Sequence, residues 1–310
     1  MTTGAGSSNV YPGATMNMHN QFGSAPTGDG VWMNLEVDLG AVSHQGYVRQ
    51  NNEDGYLVIR FGRSLENLLT NLEDDLIEQD YFMDGYGLLV ADGMGGMAAG
   101  DVASRLALTK LLQLIIETSD WTLALQREQD VTKVLQRMSE RFVQLDNILR
   151  KEASLDYTLQ GMGTTLTVAG VMGSDLIVGH VGDSRAYLLR GEDFKQLTTD
   201  HTLAQALIDA GVANRDDPAS RSMRHVLTAA VGSLGEQFEP QVQRFKLQAG
   251  DQLLLCTDGL TELVEDTTIN SVLSQASSAQ SACQNLLDLA LAGGGVDNIT
   301  VIVAHFLAAL

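Results

Sequence analysis

From Gly163 to Arg190 the chain reads GTTLTVAGVM, DLIVGHVG and SRAYLLR, three strand-like runs separated by short turns of Gly, Ser and Asp. Such turns join antiparallel neighbours, so the stretch predicts a meander and offers none of the βαβ repeats that a doubly wound sheet needs. Helices fall in separate runs. One is expected from about Asp101 to Glu117, burying Val102, Leu106, Leu111 and Ile115, and another from about Val131 to Lys151, burying Val134, Met138, Phe142, Leu145 and Leu149. NLEVDLG, GYLVIR and GLLVAD read as strands before them. After the meander come a glycine-stopped helix (TLAQALIDAG), the polar loop NRDDPASRSMRH, a buried strand (QLLLCTD), two helices between Asp266 and Leu291, and the strand ITVIVAHF. The expected class is α+β, with antiparallel sheets covered by helices.

At 310 residues and 44% hydrophobic content the chain can bury a sizeable core. Residues 1–30, rich in Gly, Ser, Thr and Asn, predict a disordered polar tail, and one domain is expected over 31–310. Residues 61–85 hold seven acids and one arginine, which suggests a solvated acidic insertion; Leu65, Leu68, Leu69, Leu72 and Leu76 recur there at the spacing of a short amphipathic helix. Nineteen basic against thirty-nine acidic residues give a net charge of −20, which argues against a nucleic-acid partner. The first thirty residues carry no Lys or Arg and no apolar core of a leader, and no run is long enough to span a membrane, so a cytoplasmic protein is expected. Two cysteines do not make a disulfide framework, and Cys256 inside LLLCTD reads as a small buried thiol.

Four acids share one grammar. Asp92 follows GLLVA, Asp183 follows LIVGHVG, Asp258 follows LLLCT, and Asp297 precedes ITVIVAHF. Each alone could be an Asx-turn or a helix cap. If their strand ends lie on one side of a sheet, the carboxylates converge, and two such charges at ~4 Å repel by about 4 kcal/mol at an effective dielectric near 20. Such a cluster needs protons or cations. Oxygen donors suit Mg²⁺ or Mn²⁺, and the lack of a Cys/His cluster at ligand spacing argues against zinc.

The glycines after Asp92 admit another reading. Gly93-Met94-Gly95-Gly96-Met97-Ala98 fits a G-x-G-x-x-A dinucleotide pattern, with Glu117 near the place of a ribose-binding acid. An acidic pocket should repel pyrophosphate unless cations intervene. RQNNED, just ahead of a strand, could instead present Arg49 with Glu53 and Asp54 to one cleft, the guanidinium for phosphate and the carboxylates for metal; it could also be an ordinary solvated turn.

Taken together, GYVRQNNED, VADGMGGMAAGDVAS, GMGTTLTVAGV, VGDSRAYLLR, TTDHT, LLLCTDGLTELV and GGVDNITVIV resemble, in order, the motifs of the metal-dependent type 2C serine/threonine protein phosphatases in their bacterial form. The resemblance spans about Leu35 to Phe306. It implies a β-sandwich of two antiparallel sheets flanked by α-helices, a flap over 202–224, and two Mn²⁺ or Mg²⁺ ions at one end. By that resemblance Asp92 bridges both ions, Asp258 and Asp297 complete the first, and Glu53 with the carbonyl of Gly93 serves the second. Asp54 ligates directly or holds a metal-bound water, and Arg49 grips the substrate phosphate. A third ion is implied at Asp183 and Glu262, the latter at a position that is often Asp.

The implied reaction is hydrolysis of phosphoserine and phosphothreonine on proteins by a water or hydroxide shared by the two ions, without a covalent intermediate. Met94 stands where some relatives carry a histidine, so no protein general acid is assigned. His201 and His225 flank the implied flap, and His201 is expected to hold structure rather than react. Gly163 to Thr165 is expected to pack beneath the site, and Met94 and Met97 to pack rather than ligate. Implied partners are phosphoprotein substrates and an opposing protein-kinase pathway, with the protein a monomer. Two other functions compete: a non-catalytic phosphoprotein-binding or scaffolding domain that retains the fold, and a dinucleotide-binding oxidoreductase.

Overall fold

The computed structural model describes residues 35–66, 80–95, 99–117, 128–214, 217, 222–233 and 238–308. Strands β1 (Leu35–His44), β2 (Asp54–Glu66), β3 (Asp80–Met94), β4 (Gly163–Thr164), β5 (Leu166–Met172), β6 (Asp175–Val181), β7 (Arg185–Arg190), β8 (Asp193–Gln196), β9 (Gln241–Lys246), β10 (Gln252–Cys256) and β11 (Ile299–Ala308) form two sheets. One runs β1-β11-β10-β7-β8 and the other β2-β3-β5-β6-β9, with β4 paired to the end of β3. Every strand pair among the described residues is antiparallel, which removes the doubly wound dinucleotide reading.

Each central strand is buried on both faces. Leu88 and Val90 of β3 point between the sheets, against a layer that includes Leu253, Leu255, Ile302 and Phe306. Leu89 and Ala91, the alternate residues, lie under helices α1 (Ala99–Glu117) and α2 (Glu128–Leu155). On the other sheet Leu254 and Cys256 meet α5 (Asp266–Gln275) and α6 (Ala279–Ala292). The result is a helix-sheet-sheet-helix sandwich, and burial on both faces is why these strands read as continuous apolar runs instead of alternating ones. Two short helices are α3 (Leu203–Asp209) and α4 (Asp258–Thr261), the second packed on β11 and α6. Cys256 and Cys283 are buried free thiols.

Three expectations change. Helix α1 buries Ala99, Ala103, Ala107 and Leu111, while Val102 is exposed and Leu106 and Ile115 are only partly buried. Small residues bring this helix close to the sheet, and a face of alanines is nearly silent in a pattern built on large side chains. The meander also divides: β6 stays in one sheet while β7 crosses to the other through Gly182-Asp183-Ser184, where Gly182 takes a φ of +111° that favours glycine. Finally, the acidic insertion is strand at both ends, with β2 and β3 paired from Asp54↔Asp92 out to Glu66↔Asp80. Leu65 lies in β2 and not in a helix; Leu68, Leu69, Leu72 and Leu76 lie outside the described residues, as does the expected tail.

Candidate metal centre

Asp54 and Asp92 are paired neighbours on β2 and β3, at the end of the sandwich where both strands meet the helices. The backbone of Asp92 is fixed on both sides. Its N–H donates to Thr165 Oγ1 at 3.0 Å, while its carbonyl accepts from Thr165 N and Thr164 Oγ1, both at 2.9 Å. The GTT block therefore does pack beneath the site, and it also sets the register of Asp92. Met94 packs on Gly163 as expected, whereas Met97 lies outside the described residues.

Backbone contact is tightest just past Asp92. A methyl group built on Gly93 would stand 2.0 Å from the carbonyl oxygen of Gly100, so α1 can start here only because the residue is glycine. A methyl on Gly100 would meet Glu53 Oε2 at 2.7 Å and Gly93 O at 2.8 Å, which places those two oxygens around one point. The N–H of Gly93 in turn donates to Glu53 O.

The first sheet brings the other acids. Asp258 opens α4 directly after β10, and Asp297 precedes β11. Asn298 staples the RQNNED loop to this end: its Nδ2 donates to Gln45 O and Asn51 O, its Oδ1 accepts from Glu53 N, and its own N–H donates to Asp297 Oδ1. Arg49 lies on Asp297, its Nη2 bonded to Oδ2, and is more than half exposed. It is thus poised at the rim and holds one of the expected ligands.

Electrostatics mark the centre. Asp54 is buried, with Oδ2 accepting from Thr257 Oγ1 at 2.8 Å and Thr300 Oγ1 at 2.7 Å, and Oδ1 has no hydrogen-bond partner. Burial pushes its carboxyl up to about 7, against the pull of those two hydroxyls. Burial and then the charges of Asp54, Asp258 and Asp183 hold Asp92 well above the usual carboxylate range. Asp183 is likewise raised, first by burial and then by Asp258 and Asp200, and Asp258 by burial and Asp297. Glu53 is raised mainly by burial, with Arg49 opposing. Asp258 Oδ1 is, like Asp54 Oδ1, buried without a partner.

Orphaned, buried carboxylate oxygens on mutually repelling acids are what hard divalent cations satisfy, and an all-oxygen set fits Mg²⁺ or Mn²⁺. The residues present fit the ions that the motifs imply.

The two acids expected to share a third ion, Asp183 and Glu262, are both raised by burial and then by the charge of Asp258. Glu262, at the C-terminal cap of α4, contacts Asp258 and His225, with His225 Nδ1 and Glu262 Oε1 2.5 Å apart; burial and Asp258 push its carboxyl up to about 7. Asp183 is not in that group. The one set of three or more His, Cys, Asp or Glu whose donor atoms all lie within 4.8 Å of one another, among the described residues, is His225, Asp258 and Glu262.

Sequence reasoning gave no role to Asn298, Thr257 or Thr300, and placed His225 only as a flank. The signal for the first three was in the motifs themselves, CTDG and DNIT, as polar residues next to the acids. His201 behaves as expected: its N–H donates to Gly182 O at 2.7 Å, its Nδ1 accepts from Gly182 N at 3.2 Å, and its ring lies 5.1 Å from that of His180. It braces the crossover that carries Asp183.

Fold and site together define a four-layer sandwich with a carboxylate centre for divalent cations at one end of its sheets. The chain belongs to the protein phosphatase 2C family, whose model matches residues 70–291. It is similar to the serine/threonine protein phosphatase PstP of Mycobacterium tuberculosis (strain ATCC 25618 / H37Rv), 34% identical over 270 residues that cover 87% of this chain and 45% of PstP. It thus spans less than half the length of that relative. The serine/threonine phosphatase stp of Listeria welshimeri is 36% identical over 218 residues, covering 70% of this chain and 83% of that protein. Among solved structures, the catalytic domain of PstP in complex with two manganese ions superposes with a TM-score of 0.63 at 33% identity, covering 88% of this chain and 99% of that one.

Proposed function

We propose that this chain hydrolyses phosphoserine and phosphothreonine on proteins at a two-ion Mn²⁺ or Mg²⁺ centre. The observation that carries the reading is the pair of buried, unpartnered oxygens, Asp54 Oδ1 and Asp258 Oδ1, within a group of repelling acids in a member of this family. Asp92, Asp258 and Asp297 would hold one ion, and Glu53 with the Gly93 carbonyl the other, with Asp92 between them. The two manganese ions of the PstP catalytic domain support that count. Bound there, such ions supply positive charge to phosphoryl oxygens and lower the pKa of a water toward neutrality.

The chain's own residues do the rest. Arg49, exposed at the rim, can turn its planar fork from Asp297 to the phosphate. Asp54, tethered at Oδ2, would ligate directly or hold an ion-bound water through its unpartnered Oδ1. The hydroxyls nearest the acids are engaged: Thr257 and Thr300 donate to Asp54, and Thr165 Oγ1 and Ser184 Oγ bond to each other at 2.7 Å. Direct attack by water therefore suits the site better than a serine or threonine nucleophile.

Residues 202–224 act as a flap in this reading. Its two ends are closed on each other by the bridge Thr202↔Leu227 and the bond from Leu203 N to Val226 O, while His225 contacts Glu262 at the site. A monomer working in the cytoplasm on substrates of a protein kinase completes the proposal; no helix among the described residues is long and apolar enough to cross a membrane. The test is hydrolysis of a phosphothreonine peptide with and without Mn²⁺. Turnover should require the ion and vanish in Asp258→Asn; ion-free turnover that survives in the variant, or binding of the peptide with no turnover, would overturn it.

A further inference from the structure

We propose that Tyr47, Val48 and Val296 form a substrate subsite that takes an apolar side chain of the phosphoprotein, one or two positions from the phosphorylated residue. This subsite rests on the phosphatase reading above and adds a sequence preference to it.

Two loops carry the subsite, and they run side by side in one direction. Tyr47 N donates to Gly295 O at 2.7 Å, and two residues further along each loop Arg49 meets Asp297. The loops touch closely: at Gly46, whose φ is +77°, a methyl group would collide with the carbonyl oxygens of Asp297 and Gly295. Gln45 Nε2 donates to Arg49 O at 2.7 Å and Gln45 O accepts from Asn298 Nδ2, so the turn over 45–49 is closed on itself and tied to its neighbour. The residues beside the guanidinium are thus held in place before a substrate arrives.

What this frame presents is apolar. Tyr47 is 68% exposed, Val48 66% and Val296 43%, and each lies within two positions of Arg49 or Asp297. The tyrosine ring is nonetheless fixed. It lies over Gly295, where an added methyl would stand 3.0 Å from Tyr47 Cδ2 and 3.0 Å from Leu291 Cδ2, and it meets the His44 ring edge-on at 79° with centroids 6.2 Å apart. A single exposed apolar side chain is ordinary, whereas a cluster already ordered at the rim of a site offers contact area at little cost in conformational entropy.

The occupant follows from the distance to Arg49. Two residues of chain span at most ~7 Å, so a peptide whose phosphate lies on Arg49 carries its flanking side chains past Tyr47 and Val48. A leucine, methionine or phenylalanine there would cover apolar surface on both partners, while an acidic residue would gain nothing and stand near Asp297. The apolar residues lie on one side of the Arg49–Asp297 pair, toward Gly295, so the preference falls on one side of the phosphorylated residue.

The test is steady-state hydrolysis by the full chain with Mn²⁺. The substrates are a phosphothreonine peptide with alanine at the two positions on each side, four versions in which one of those alanines is leucine, and p-nitrophenyl phosphate. Failure to turn over any of them would sink the phosphatase reading; turnover without a preference would sink this proposal alone. Leucine on one side should lower KM roughly 5- to 20-fold, the worth of partly burying such a side chain, with kcat little changed. Tyr47→Ser should bring that peptide toward the alanine level, and Tyr47→Leu should keep most of the preference. The ratio of leucine to alanine peptide is read within each variant, so a general loss of activity cannot mimic the effect. Equal KM for all five peptides, an equal preference on both sides, or a preference that survives in the double variant Tyr47→Ser with Val48→Ser would overturn the proposal.

Discussion

Asp54 of β2 and Thr300 of β11 are joined across the seam between the two sheets by a 2.7 Å hydrogen bond from the threonine hydroxyl to carboxylate Oδ2. That hydroxyl has one proton, so Ser43 Oγ, 2.9 Å away, must donate to it, and Asn52 Nδ2 donates to Ser43 in turn at 2.9 Å. The RQNNED loop, the end of β1, β11 and the buried acid are therefore one directed chain of donors. Such chains orient the groups that face an ion.

Thr300→Val keeps the shape and removes the donor. Unfolding free energy should drop by about 1–3 kcal/mol, the cost of an unmet bond on a buried polar group. The Mn²⁺ concentration needed for half-maximal peptide hydrolysis should rise roughly 10–100-fold. Denaturant melts and an Mn²⁺ titration check both; a variant with wild-type Mn²⁺ dependence would show that Asp54 is oriented without this bond.

Ion-free protein should lose stability as pH rises. Asp54 and Glu262 are raised to about 7, and Asp92 and Asp183 are raised as well, so the folded state keeps protons that the unfolded chain has already released. Between the ordinary carboxylate range and about pH 7 the unfolded state binds fewer protons, and stability then falls with pH. After chelation the melting temperature should be lower at about pH 8 than at about pH 5, and added Mn²⁺ should stabilise most at the higher pH, where it no longer competes with protons. A chelated protein whose melting temperature climbs over that range would contradict the proton count.

Arg49→Ala separates binding from stability. The ion pair with Asp297 is solvent-exposed, so its loss should change stability by no more than about 1 kcal/mol. Loss of a charge-assisted contact of about 1.5–3 kcal/mol should raise KM for a phosphopeptide by roughly 10-fold or more. Arg49→Lys should recover only part of this, since an ammonium cannot reproduce the planar fork. Steady-state kinetics with unchanged KM in Arg49→Ala would remove Arg49 from phosphate binding.

Gly100→Ala puts a methyl where Glu53 Oε2 and Gly93 O converge. Helix propensity favours alanine by about 1 kcal/mol, but the methyl also crowds the backbone carbonyl of Gly93, so the variant should fold and melt below the wild type. Its Mn²⁺ affinity should fall as well, by roughly tenfold or more, because Glu53 must swing away. Calorimetric titration that returns the wild-type affinity would place Glu53 outside the ion site.

Legibility followed chemistry and failed where packing decided. Asp92, Asp258 and Asp297 could be read because an acid ending an apolar strand is costly and conspicuous, and the motifs around them fixed their order. Antiparallel sheets covered by helices were readable from the same strands, and the resemblance supplied the sandwich. The inner face of α1 was not, because Ala99, Ala103 and Ala107 are small and Val102, the better hydrophobe, faces outward. The sheet change at Gly182 was hidden since a turn between sheets and a turn within one use the same residues. His225 met Glu262 through folding alone, as no local spacing connects positions so far apart. Thr257 and Thr300 act only once the sheets are stacked, which no single stretch of sequence expresses.

The stacking of β2 and β3 on β10 and β11 bears on how the protein is made. Glu53, Asp54 and Asp92 leave the ribosome long before Asp258 and Asp297, and β11, the central partner of β1 and β10, comes last among the described strands. A nascent chain halted before that strand already carries all five of these acids but lacks Thr300, which leaves Asp54 with Thr257 as its one hydroxyl donor. The seam that orients Asp54 is thereby closed only when β11 slots between β1 and β10, so the carboxylate centre takes its final form late in the assembly of the sandwich.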